Sequence, residues 1–320
     1  MFLVDEPPPS PPAPAVTTAA RPSRARRAGA AAVPYLYLLP ALAGFAVWVY
    51  LPLGDTIGYS TVSWNLLPTV PKVGVGLANY HRVLDLPELR QALGTTGFYL
   101  AGLVLLGVIV PVLLGAATRK LGPRARAVYH GALFVPVLIS PIVAATVWTF
   151  LLAPNGGVVN ELLAHVGVGA HNWLLDPGTA RGTVVIIAGW KVLGASVLIV
   201  TAGLASISPE YHEAAAIDGA GRLRTFREVT LPLLSPTLLF LFTTAVLLSE
   251  SQLVFPLING LTAGGPGNAT TDLYYLLYSF GFTSFDVGLA SAAGVLFFAA
   301  FAVIAVGCVA LLDRFSLYQD

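Results

Sequence analysis

Charge is what this chain has least of. Only 10% of its 320 residues are Asp, Glu, Lys or Arg, while 56% are hydrophobic and the mean hydropathy is +0.78. That balance excludes an ordinary soluble domain and points to a polytopic membrane protein. Cysteine is almost missing as well: the lone Cys308 lies in the last apolar run, which excludes a disulfide framework and a thiolate metal cluster. A net charge of +1 leaves no electrostatic footprint for nucleic acid. No Gly-x-x-x-x-Gly-Lys-Ser/Thr occurs, because Lys72, Lys120 and Lys191 follow Pro71, Arg119 and Trp190, so no Gly-Lys step cradles a nucleotide phosphate. The histidines, His81, His130, His165, His171 and His212, fall in loops or at the edges of apolar runs. None makes the His-Glu-x-x-His of an intramembrane metalloprotease, and none lies at a depth to activate Ser196 in Gly194-Ala195-Ser196 as a nucleophile.

What the chain has instead is apolar length. Six runs reach the roughly twenty residues that cross a bilayer at 1.5 Å per residue: near Pro34–Leu53, Thr95–Thr118, Ala132–Leu152, Gly182–Ile207, Thr237–Asn259 and Val287–Leu312. The expected fold is an all-α membrane protein with six transmembrane helices. Residues 1–33 hold seven prolines and the cluster Arg21, Arg24, Arg26 and Arg27, a composition that predicts a disordered tail. A cleaved signal peptide is disfavoured, since the run after it is long enough to span and no small-x-small site precedes a soluble domain. With the tail inside, twelve basic residues fall on inner segments against four on outer ones, Lys72, Arg82, Arg90 and Arg181, with Lys191 left in a span. The asymmetry places both termini in the cytoplasm.

The longest charged interval lies between the fourth and fifth runs. Ser208 suits an N-cap and Pro209 a first helical position, so a short helix is expected to begin there and to end near Gly219 or Gly221. A second short helix is expected over Arg222 to Val229, with Leu223, Phe226 and Val229 on one face, stopped by Leu231-Pro232. Such a helix, bend and helix lies on the membrane surface and presents a face to a soluble partner.

Here the sequence resembles a known family. Glu213-Ala214-Ala215-Ala216-Ile217-Asp218-Gly219-Ala220, followed by Phe226 and Thr230-Leu231-Pro232, resembles the EAA loop of binding-protein-dependent ABC importer permeases, most closely the carbohydrate-uptake, maltose-type branch. Val229 stands where that pattern usually has Ile. Further pieces in order, Gly76-Leu77-Ala78-Asn79-Tyr80, Thr262-Ala263-Gly264-Gly265-Pro266 and Phe285-Asp286-Val287-Gly288, extend the resemblance from about Gly76 to about Leu312. It implies a type I importer permease fold over 34–320, with a cytoplasmic coupling loop at 208–236. It implies that Glu213, Ala214, Ala215, Asp218, Gly219, Leu231 and Pro232 meet a cytoplasmic ABC ATPase dimer, which holds the ATP and Mg; this chain itself binds no cofactor. The other implied partners are a second, similar permease, an extracytoplasmic sugar-binding protein and membrane lipid. The location implied is a prokaryotic plasma membrane. An ion-coupled secondary transporter is the competing class, but no internal repeat is visible and such a protein has no use for this loop.

Two ionisable residues sit inside runs, Lys191 and Glu250, where a charge costs about 2.5–3.5 kcal/mol on insertion scales. Both lie roughly 12–13 Å below the outer end of their spans. With Trp190, Gly194, Ser249 and Gln252 they are candidates for a substrate path. Two alternatives stay open: a purely structural ion pair, or a Lys191 that snorkels outward.

Overall fold

The computed structural model describes residues 37–118, 121–248 and 253–316; the tail expected at 1–33 lies outside them. The chain divides at Asp55 into two compact units, each taken here by itself. Helix α1, Tyr37–Tyr59, starts in the first. In the second, a two-stranded antiparallel ribbon, β1 Val62–Ser63 on β2 Val73–Gly74, precedes α2, Ala78–Asp85. The long α3, Pro87–Thr118, follows. Next come α4, Pro123–Leu138, α5, Pro141–Leu151, α6, Val158–His165, and α7, Pro177–Ser206. The chain continues through α8, Pro209–Ile217, and α9, Arg222–Leu248, to α10, Val254–Leu261. A short α11, Leu273–Tyr278, and the last helix α12, Val287–Ser316, complete it.

Among the described residues, five helices are long and apolar enough to cross a membrane, and α4 with α5, bent by 99° at their junction, makes a sixth when the pair is counted as one span. The third run, read from sequence as one rod from Ala132 to Leu152, is therefore a corner. Its cause is proline: Pro136 removes one backbone donor near the end of α4, and Pro141 holds Ser140 extended before restarting the helix. The fifth run also departs from expectation. The helix starts fifteen residues earlier than Thr237, at Arg222, and reaches Leu248, with α10 beginning at Val254.

Leu231-Pro232 does not end a helix, contrary to the sequence reading. The chain makes one wide turn over Phe226–Thr230, in which the Leu231 N–H donates to the Phe226 carbonyl, and runs straight on. The same device precedes Pro52, over Ala46–Tyr50, and Pro111, over Leu105–Ile109. A proline ring presses on the carbonyl four residues back and offers it no donor; widening the turn immediately before the ring moves that carbonyl aside without breaking the rod.

Helix α7 is the one the second unit is built around, with 61% of its most apolar window buried against at most 33% for the other four unbroken spans. Glycines set its crossings. On α3, Gly102 and Gly115 lie under Val185 and Val200, while on α7 Gly189 lies under Leu106 and Gly203 under Leu234 and Thr237 of α9. Small residues let membrane helices approach until their backbones nearly touch, which is the main source of attraction where no hydrophobic effect operates between helices. Gly194 is the tightest case: a Cβ there would overlap the carbonyl of Leu133 on α4.

The segments outside the spans are tied by polar contacts. Asn79 donates from its amide to the carbonyls of Ser60, at 3.0 Å, and Val62, at 2.9 Å, while Arg82 pairs with Asp286 at 3.0 Å. The Gly-Leu-x-Asn-Tyr and Phe-Asp-Val-Gly pieces, some two hundred residues apart in sequence, thus meet. Asn160 spends its whole side chain in the same way, donating to Ala153 and His171 carbonyls and accepting from the His171 N–H and Trp173 Nε1. The loop from Thr262 to Thr271 is held to α3 by Tyr99, whose hydroxyl donates to the Thr270 carbonyl at 3.0 Å, and by Thr96, which accepts from the Leu273 N–H. Asp272 caps α11 by accepting from the Tyr275 N–H at 2.7 Å; it is fully buried, and burial pushes its carboxyl up to about 7.

Two expectations follow. Gly194→Ala should destabilise the protein by about 1–3 kcal/mol through overpacking against α4, whereas Gly131→Ala, whose Cβ meets nothing within 4 Å, should be neutral or better; thermal unfolding in detergent compares them. Because Asp272 binds its proton more tightly folded than unfolded, stability should fall as pH rises from about 4 to about 7 and stay level above. Asp272→Asn keeps the acceptor for Tyr275 and should flatten that slope and raise the midpoint at pH 8. An unchanged slope would show that the carboxyl is not the titrating group.

Candidate coupling surface and path residues

Helix α8 begins as the sequence indicates, with Ser208 extended and Pro209 in the first turn, although the Ser208 hydroxyl makes no capping bond. Its end is fully specified by hydrogen bonds. Gly219 adopts φ +71°, the Gly219 N–H donates to Ala216, and the Ala220 N–H reaches back to Ala215 at 2.9 Å. These two bonds satisfy carbonyls the helix would otherwise leave open, and they require a positive φ at their centre, which glycine supplies at no steric cost.

The bend decides what faces outward. Ala215 turns inward at 8% exposure, and His212 reaches α9, with Nε2 3.4 Å from the Thr230 hydroxyl. Glu213, Ala214, Asp218 and Gly219 are exposed. So are three large apolar side chains, Tyr211, Ile217 and Leu223, with Ile217 at 87%. Leu223 therefore leaves the stripe expected of it with Phe226 and Val229. It stands in the first turn of α9, before the wide turn, whereas Phe226 packs on the core. Leu231 and Pro232 lie inside α9 just past that turn, Leu231 half-buried and Pro232 exposed. Arg224 pairs with Glu228 one turn on, at 2.9 Å, and the carboxylate raises the guanidinium pKa further. Together Gly221, Arg222, Leu223, Arg224, Arg227 and Glu228 line a shallow hollow of about 710 Å³. The sequence reading missed His212 and Ile217. The signal for His212 was a polar side chain on the same helical face as Ala215 and Ala216.

The candidate path residues divide. Ser249, Glu250 and Gln252 lie outside the described residues. Trp190, Lys191 and Gly194 meet at the corner between α4 and α5. Lys191 is 5% exposed and its ammonium donates to the carbonyls of Pro136, at 2.9 Å, and Ile139. Lys191 thus does not snorkel outward: its ammonium is matched to a helix C-terminus, where carbonyls concentrate negative charge, while the ion pair expected with Glu250 falls outside the described residues. Gly194, one turn along, brings the backbones close enough for that reach. Trp190 packs edge-on against Trp148 of α5, centroids 5.6 Å apart.

Residues 86–316 match the model of a family described as the binding-protein-dependent transport system inner membrane component. Among curated proteins, the chain is 33% identical over 264 residues to the sn-glycerol-3-phosphate transport system permease protein UgpA of Yersinia pestis bv. Antiqua (strain Antiqua), covering 82% of this chain and 88% of that one. It is 32% identical over 268 residues to the probable ABC transporter permease protein YurN of Bacillus subtilis (strain 168), covering 81% and 89%. Its fold superposes with TM-score 0.76, at 23% identity, on a chain of a bacterial ABC transporter involved in the import of the acidic polysaccharide alginate, over 91% of this chain and 99% of the other.

Gly219 gives the test of the bend. A Cβ there has open space, so Gly219→Val acts only through backbone strain, on the order of 1–3 kcal/mol. The variant should insert normally and lose most transport-coupled ATP hydrolysis, while Gly219→Asn, which tolerates positive φ, should keep more. Equal activity of the Val, Asn and wild-type proteins would remove the bend from any role in coupling.

Proposed function

The chain belongs to the family of binding-protein-dependent transport system inner membrane components, and on that footing we propose that it carries a sugar or oligosaccharide across the membrane in an ATP-driven importer. Family membership and six spans, one of them bent, make it a multi-pass membrane protein and the permease subunit of a binding-protein-dependent importer. The observation that carries the coupling proposal is the exposed bend, where two carboxylates and three bare apolar side chains stand on one rigid turn. A surface of that kind is costly in water unless a partner covers it.

The partner proposed is a cytoplasmic ABC ATPase dimer. Glu213, Ala214, Asp218 and Gly219 dock in a groove on it, with Ala215, Leu231 and Pro232 holding the turn from behind. ATP and Mg bind on that dimer, and this chain contributes no catalytic group. A second, similar permease completes the pathway, and an extracytoplasmic sugar-binding protein delivers the cargo. Both termini are cytoplasmic, supported by the twelve-to-four division of basic residues. When the ATPase closes, α8 moves with it, and two links pass the motion on: the Gly219–Gly221 bend and the His212–Thr230 contact pull α9, while Ile207 pulls α7. Since α4 and α5 hang on α7 through Lys191 and Gly194, a shift of α7 moves the corner as one piece, and access alternates between the two sides. Trp190, Lys191 and Gly194 then act by shaping the path, with Ser249, Glu250 and Gln252 as its further candidates.

Purification tests this directly. An ABC ATPase chain should co-purify with the wild type and be lost with Ile217→Asp, whose side chain is too exposed for the change to unfold the protein. In intact cells a membrane-impermeant thiol reagent should label Gly265→Cys and spare Arg224→Cys in a Cys308→Ser background. Labelling in the opposite sense would overturn the orientation, and proton- or sodium-driven uptake by the chain alone would overturn the importer.

A further inference from the structure

Five aromatic rings form a row between α10 and the start of the last span. Phe255 of α10 packs against Tyr274, Tyr275 and Tyr278 of α11, with centroids 5.1, 5.9 and 5.0 Å away. Tyr278 then stacks on Phe282, in the wide turn Ser279–Thr283, at 5.0 Å and 20°. Tyr274, Tyr278 and Phe282 recur every four residues, so they share one helical face. The opposite face, Leu276 and Phe280, is buried with Val83, Leu89 and Leu289. The ring face is open: Tyr274 is 38% and Phe282 69% exposed.

Position gives the row a direction. At one end Phe255 comes three residues after the path candidate Gln252 in sequence, and the Leu273 N–H meets Thr96, nine residues inside α3. At its outer end Phe280 reaches Val83, and Asp286 meets Arg82, ahead of α3 altogether. With the proposed orientation, the row runs from the outer surface inward along the fifth span. Its chemistry is specific too. Over Val254–Leu261 and Leu273–Thr283 there is no Asp, Glu, Lys or Arg. Among the described residues the hydroxyls of Tyr274, Tyr275 and Tyr278 make no hydrogen bond.

We propose that this row is a binding rail for the pyranose rings of a neutral oligosaccharide on its way from the outer vestibule to the fifth span. The electron-rich face of an aromatic ring attracts the positive C–H edges on the flat face of a sugar, and the free tyrosine hydroxyls meet the sugar's own hydroxyls. Contiguous stacking distinguishes the row from an interfacial aromatic belt, whose members anchor separately at the headgroups. An acyclic phosphate such as glycerol 3-phosphate finds neither a cation nor a use for a stacking surface on it. The proposal rests on the importer reading and adds to it where and how the cargo is held.

The complex reconstituted in proteoliposomes with its ATPase, second permease and binding protein tests it, with radiolabelled maltose, maltotetraose and glycerol 3-phosphate as probes. Wild type should move the tetraose. Tyr278→Leu should lower kcat/KM for maltotetraose by about tenfold, the loss of one aromatic contact. The loss should be smaller for maltose, which spans fewer rings, and Tyr278→Phe should recover most of it. Phe298→Leu, an exposed aromatic on α12 away from the row, should change neither. Equal losses for both saccharides, or none, would overturn the rail. ATP-dependent uptake of glycerol 3-phosphate and neither saccharide would overturn the rail while leaving the importer standing. No ATP-dependent uptake of any probe by wild type would remove the sugar-importer reading and the rail with it.

Discussion

One ammonium group holds the interior of the second unit together. A break in a membrane helix leaves carbonyls without donors in a place where water cannot supply them, and each costs several kcal/mol if left so. At the corner between α4 and α5 the Pro136 carbonyl accepts from the Ile139 N–H at 3.3 Å, and Lys191 donates to both the Pro136 and the Ile139 carbonyls. The cation and the break need each other: a lysine in a span is as costly unpaired as the carbonyls are. Gly194 makes the arrangement geometrically possible, and Trp190 against Trp148 fixes the second arm of the corner. The bend is therefore a permanent part with two rigid arms, suited to moving as a unit.

This corner also marks the limit of what the sequence made legible. Span number, the start of α8 at Ser208-Pro209 and its end at Gly219 follow from local rules, because apolar length, a proline at a first turn and a glycine at positive φ act within a few residues. The 99° corner did not follow. Pro136 and Pro141 were visible, but a proline in a membrane helix is compatible with a straight rod, a kink or a break, and the choice is made by a lysine fifty residues away. Lys191 is buried midway along α7, and its carbonyl partners could not be read from the sequence, since backbone carbonyls carry no sequence signal. Leu231-Pro232 was misread for the opposite reason. A rule valid for soluble helices ended the segment, whereas a membrane helix absorbs proline by widening the turn before it.

The outer pieces recognised in the sequence as short fragments acquire a reason from their contacts. Asn79 holds the carbonyls of Ser60 and Val62, and Gly288 lies directly under that same Val62 carbonyl, with the Arg82–Asp286 pair alongside. The residue types are dictated by one compact junction, where an amide must span two acceptors and a side chain at 288 would not fit. Fragments that look like unrelated turn chemistry in sequence are halves of a single joint.

The wide turn in α9 carries a consequence for how that helix transmits force. A turn closed by a bond to the fifth residue back holds one residue more than a regular turn, and one residue is about 100° of helical rotation. The faces of α9 before Phe226 and after Thr230 are thus out of phase by roughly a quarter turn. The segment behaves as a shaft with an offset. Tightening the turn to regular geometry would rotate the exposed bend about the shaft without shifting the buried end, so torsion at Phe226–Thr230 is a soft degree of freedom between surface and core, and the proline two residues on sets where along the shaft it lies.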